Sequence, residues 1–88
     1  LSYGFSPTIL TTTTIIGSKE LSVSSDMNKI NIGDTIIGIN NILLKNNNPC
    51  ELLAEIWSAK KKLEPIVLQV SKNGQVNKFT LRCLPMNQ

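Results

Sequence analysis

The chain carries one strong helix pattern and is β-like almost everywhere else, and this limits the architectures open to it. Asn48-Pro49-Cys50-Glu51 opens that helix: Asn48 is an N-cap, Pro49 suits the first helical position, and Glu51 stands three residues after the cap, able to reach back. The apolar residues Leu52, Ile56, Ala59 and Leu63 recur at spacings of four, three and four. This predicts a helix from Pro49 to about Leu63 with one buried stripe, leaving Glu51, Glu55, Ser58 and Lys62 outward. Leu53 and Trp57 flank the stripe, and Pro65 ends the helix.

The segments around the helix have the period of strands. Phe5 to Ile16 is rich in β-branched residues and predicts an extended strand, with turn chemistry at Gly17-Ser18-Lys19 and an alternating strand over Glu20 to Ser25. Asp26 to Ile32 has room for a single helical turn before Gly33-Asp34. Thr35 to Ile39 and Ile42 to Leu44 read as two short strands joined at Asn40-Asn41. After the helix, Ile66 to Val70 alternates, Asn73-Gly74 supplies a tight hairpin turn, and Val76 to Cys83 returns with Phe79, Leu81 and Cys83 on one face. Strands gathered around a lone helix predict an α+β, mainly β fold. The expected form is a strongly bent antiparallel sheet or partial barrel of five to six strands capped by the helix.

Eighty-eight residues suit one domain, read here as residues 1–85 with a tail at 86–88. The chain opens on Leu1-Ser2-Tyr3-Gly4-Phe5 without an initiating Met, as expected of a fragment of a longer protein. Composition argues against several function classes. There are no histidines, which removes the commonest general base and the Ser-His and Cys-His pairs. Cys50 and Cys83 lie in no metal-ligand spacing and are too few for a disulfide framework, so neither a metal nor another cofactor is expected. The net charge of +3 includes one basic run, Lys60 to Lys62, and four aromatics are not interleaved with it, so no nucleic-acid partner is expected. That run reads as a solvated helix end. No apolar run is long enough to span a bilayer, so direct membrane insertion is not expected.

Two segments resemble the PDZ family. Ser2-Tyr3-Gly4-Phe5 resembles its carboxylate-binding loop, and Ile30 to Asn41 resembles its second signature, in which Gly-Asp (here Gly33-Asp34) precedes a short apolar strand and an Asn turn. The final hairpin after the helix is similar to bacterial and organellar members, in which a C-terminal strand closes the sheet. Members of this type occur within serine proteases and type II secretion components. The resemblance implies a non-catalytic module that regulates or targets a larger parent by binding a peptide or protein with an apolar end. The rival expectation is a docking or oligomerisation domain that binds no peptide.

On the family pattern, Ser2, Tyr3, Gly4 and Phe5 would form a nest of backbone N–H groups for a terminal carboxylate. The ligand would add as a strand beside Phe5, Ser6, Pro7 and Ile9. For the helix wall two registers are open: Pro49, Leu53, Ile56 and Trp57, or Leu52, Ile56 and Ala59. Tyr3 and Phe5 serve equally well as groove wall or as core. The sequence departs from the pattern at three points. Ser2 replaces the first loop glycine, Pro7 lacks the N–H that the strand would offer a ligand, and Pro49 stands where the best-known class carries a His. The residues usual ahead of Gly33-Asp34 are absent, so the short helix there is expected to be reduced.

Overall fold

The computed structural model describes residues 3–20, 29–45 and 48–83. Within them the order is β1 (Phe5–Ile9), β2 (Thr14–Lys19), β3 (Thr35–Ile39), β4 (Ile42–Leu43), α1 (Pro49–Lys61), β5 (Ile66–Lys72) and β6 (Gln75–Leu81). The fold is α+β and mainly β: one antiparallel sheet of six strands in the order β1-β2-β3-β5-β6, with β4 paired to β3, and a single helix.

α1 forms where its signals place it. Asn48 has extended backbone and its side chain accepts from the Cys50 N–H at 3.2 Å, while its amide donates to Glu51 at 3.5 Å. The cap is therefore satisfied through side chains, and Glu51 does not reach back to the Asn48 backbone. Leu52 and Ala59 are buried and Ile56 packs against the same core. Leu63 departs from the expected stripe and is exposed. The helix stops at Lys61, and Leu63 takes φ 58, outside helical geometry, so the spacing of four no longer carries it to the buried face.

Both tight turns fall where paired turn residues predict them. Asn40 and Asn41 take φ 49 and 68 between β3 and β4, and Asn73 and Gly74 take φ 53 and 83 between β5 and β6. β5 and β6 then pair from Ile66↔Leu81 to Lys72↔Gln75 without a shift in register. β6 runs from Gln75 to Leu81, so Cys83 lies beyond it, although it still packs against the core.

The first hairpin differs from its sequence reading. The turn lies at Leu10 to Thr13, where the Leu10 N–H donates to the Thr13 carbonyl at 2.8 Å, and Gly17-Ser18-Lys19 is inside β2. Gly17 is required by close approach and not by a turn: a Cβ there would lie 1.9 Å from Thr8 Oγ1. The register shifts beside it, with Ser6 opposite Ser18 and Pro7 opposite Ile16. Most of the strand expected over Glu20 to Ser25, and the first three residues of the helical turn expected over Asp26 to Ile32, fall on 21–28, outside the described residues.

The core lies between the sheet and α1. Ile16, Ile36, Ile39, Ile66, Leu68, Val70 and Leu81 come from the strands, Leu52 and Ala59 from the helix, and Tyr3 and Phe5 from the start of the chain.

Candidate functional site

Among the described residues, β1 has a strand on one side only. Which backbone groups face its open side follows from the two ends of the hairpin. The Gly4 carbonyl accepts from the Glu20 N–H at 2.7 Å, and the Leu10 N–H donates to Thr13, so these groups point toward β2. Backbone direction alternates along a strand, and the extra residue of the bulge belongs to β2. Phe5, Pro7 and Ile9 therefore turn their backbone groups to the open edge. Pro7 has no N–H to offer there, so an added strand finds three carbonyls but only the donors of Phe5 and Ile9.

The loop before β1 is tied to the end of α1. Gly4 takes φ 91, a left-handed geometry that suits glycine. Tyr3 is buried, and its hydroxyl donates to the Glu64 carbonyl just beyond the helix. Burial, followed by the charges of Cys83 and Glu64, pushes the Tyr3 hydroxyl above its ordinary pKa. Tyr3 and Phe5 both belong to the core cluster.

The orientation of α1 is fixed from its other shoulder. Asn40 accepts from the Val67 N–H of β5 at 2.8 Å and donates to Glu55 at 3.1 Å. The Glu55 side of the helix thus faces the β3–β5 half of the sheet. Successive helical residues advance by about 100°, so Pro49, Leu53, Ile56 and Lys60 share the shoulder on the far side of buried Leu52 and Ala59 from Glu55. Pro49, Ile56 and Lys60 are half-buried and Leu53 is 45 % exposed. Leu52 and Ala59 of the second register are buried in the core, whereas Leu53 of the first is exposed. Trp57 is 62 % exposed on the outer flank of this shoulder, with Lys61 Nζ 5.3 Å from its ring centre.

Of the residues singled out from sequence, Gly4, Phe5, Pro7 and Ile9 lie in or just before β1, Tyr3 is tied to the end of α1, and Leu53 and Ile56 share one side of that helix. Ser6 is exposed and has its backbone toward β2, and Ser2 lies outside the described residues. In the run expected as a solvated helix end, Lys61 and Lys62 are exposed and Lys60 is half-buried.

No helix in the described residues is long and apolar enough to cross a membrane, and no group of three metal-ligating side chains occurs among them. No family model, curated protein or solved structure matches the chain.

Proposed function

We propose that this domain is a PDZ-like protein-interaction module that accepts a peptide as an added antiparallel strand on the open edge of β1, against the Pro49–Lys60 shoulder of α1. The observation carrying the reading is the open β1 edge beginning at a positive-φ glycine whose neighbour Tyr3 is held to the end of α1. Backbone pairing would supply affinity, and apolar ligand side chains would lie on Leu53 and Ile56. The sheet order supports the resemblance in a second way: β6, last in sequence, closes the side of the sheet opposite β1. In this reading the sheet bends into a partial barrel, the module performs no chemistry, and it directs a larger parent protein.

The test is a titration with peptides ending in apolar residues, followed through the amide resonances of Gly4, Phe5 and Ile9. Shifts in these, with β6 amides unmoved, are the expected result. Shifts confined to other surfaces, or none with any peptide, overturn it. A second reading, a docking or self-association surface, is favoured by the missing donor at Pro7 and by the exposed Ile9 and Leu10 at the end of β1. It predicts a concentration-dependent increase in mass by size-exclusion chromatography, without peptide binding.

A further inference from the structure

The solvent side of α1 is apolar where a surface helix is ordinarily polar. Leu52 and Ala59 are buried, and an advance of about 100° per residue sets Cys50, Ala54 and Trp57 opposite them, all exposed. Trp57 is 62 % exposed, and the one charge on this side is Lys61, whose Nζ lies 5.3 Å from the Trp57 ring centre. The apolar side is thus finished by a cation.

The end of the helix adds more charge and a second exposed apolar side chain. Over residues 56–65 three consecutive lysines, Lys60, Lys61 and Lys62, stand against one carboxylate, Glu64. Leu63 follows them at φ 58 and is 61 % exposed. The Glu64 N–H donates to the Ala59 carbonyl at 2.9 Å, a helix closure that ordinarily has glycine at the left-handed position. A bulky side chain is strained there, and exposure leaves Leu63 no burial to offset the strain. Trp57 and Leu63 are six residues apart and bracket the lysines.

Charge and size decide which occupant suits this surface. A second copy meeting it about a twofold axis would set the lysine runs against each other. A protein partner buries roughly 800 Å² on each side of a stable interface, far more than two bracketing side chains present. A bilayer surface requires no matching shape. Its headgroup level accepts an indole, its acyl boundary accepts a leucine, and its anionic lipids attract the lysines.

We propose that the C-terminal end of α1 docks this domain on an anionic lipid surface through Trp57, Lys61, Lys62 and Leu63. The contact is peripheral, because no helix in the described residues is long and apolar enough to cross a membrane. It is independent of strand addition, which uses the backbone of β1.

Trp57 is the single tryptophan of the chain, so its emission reports on this surface alone. The whole chain is titrated with vesicles of phosphatidylcholine containing about 30 % phosphatidylserine, and with pure phosphatidylcholine. A blue shift with protection from acrylamide quenching is expected for the anionic vesicles only. Lys61→Gln/Lys62→Gln should weaken partitioning about tenfold or more, since each lysine at such a surface contributes about fivefold. Lys72→Gln/Lys78→Gln removes the same charge from exposed positions of the β5–β6 hairpin and should weaken it less than about threefold. Leu63→Gly should weaken vesicle binding while raising the urea midpoint, which separates a docking role from a folding role. No blue shift with anionic vesicles, or an equal one with pure phosphatidylcholine, overturns the proposal. So does an equal loss in the two double variants, which would mean attraction by overall charge. An equal blue shift with soluble polyglutamate would replace the lipid by an acidic protein, and one that grows with protein concentration without vesicles would replace it by a second copy.

Discussion

The two hairpins of this domain share one sheet and are built to different standards. β5 and β6 pair across seven residues in unbroken register through a two-residue turn, and β5 buries Ile66, Leu68 and Val70. β1 and β2 are joined through a turn with no glycine, shift register beside Ser6, and place a proline on the outer strand. The difference teaches where stability and availability are divided. The central strand β5 supplies core residues along its length, whereas β1, at the edge of the sheet as β6 is, is anchored at its start by Tyr3 and Phe5 and reaches half-exposed Ile9 at its end. An edge strand buried less deeply keeps backbone groups accessible for pairing.

The strongest attempt to break this contrast compares one truncation in each hairpin. Leu68→Ala in β5 should cost about 2–5 kcal/mol, because Leu68 is fully buried and leaves a cavity. Ile9→Ala, at 50 % exposure, should cost less than about 1 kcal/mol. Urea unfolding midpoints at equal m-value measure both, and equal losses would mean that β1 is as integral to the core as β5.

Gly17→Ala comes next, at about 1–3 kcal/mol, because the added methyl meets Thr8 Oγ1 and Cβ at 1.9 and 2.9 Å. Removing Thr8 Oγ1 and Cγ in Thr8→Ala should recover part of that loss in a double-mutant cycle. Simple additivity would show that Gly17 is present for another reason, such as backbone freedom.

Tyr3→Phe should cost about 0.5–1.5 kcal/mol by deleting the bond to the Glu64 carbonyl. The sign of its pH dependence follows from the raised pKa. The folded state holds the hydroxyl proton more tightly than the unfolded state, so this contribution is complete below the unfolded pKa of about 10 and is lost as pH rises through the folded value. The stability gap between wild type and Tyr3→Phe should therefore be constant at neutral pH and narrow above about pH 10. A gap that widens there would contradict burial as the dominant cause.

The smallest effect on stability is expected at Pro7. Pro7→Ala restores an N–H on the open edge and should change stability by no more than about 0.5 kcal/mol. Apolar peptide binding should tighten by the worth of one ladder bond, about 0.5–1.5 kcal/mol. Unchanged peptide affinity would place the ligand away from the middle of β1.

Local chemistry made much of the scaffold legible. Asn48-Pro49, Asn73-Gly74 and the alternation of Ile66 to Val70 act within a few residues, so α1, the last hairpin and the short strand Thr35–Ile39 could be read directly. The first hairpin could not. A glycine required by a turn and a glycine required by a close neighbour look the same in sequence, and only the position of Thr8 distinguishes them. The candidate site divides in the same way. The sequence marked Tyr3, Gly4, Phe5, Pro7, Leu53 and Ile56, but left Tyr3 and Phe5 between core and groove and left two helix registers open. Burial placed Leu52 and Ala59 in the core, and the bridge from Val67 through Asn40 tied the Glu55 side of the helix to β5. The sequence by itself determined where the helix begins, where the last hairpin turns and that no histidine chemistry is available, because each depends on residue type and short spacing. Tertiary structure alone decided that β1 lies at the edge of the sheet formed by the described residues and that Lys60 is half-buried beside exposed Lys61 and Lys62, because both depend on which surfaces the remainder of the chain covers.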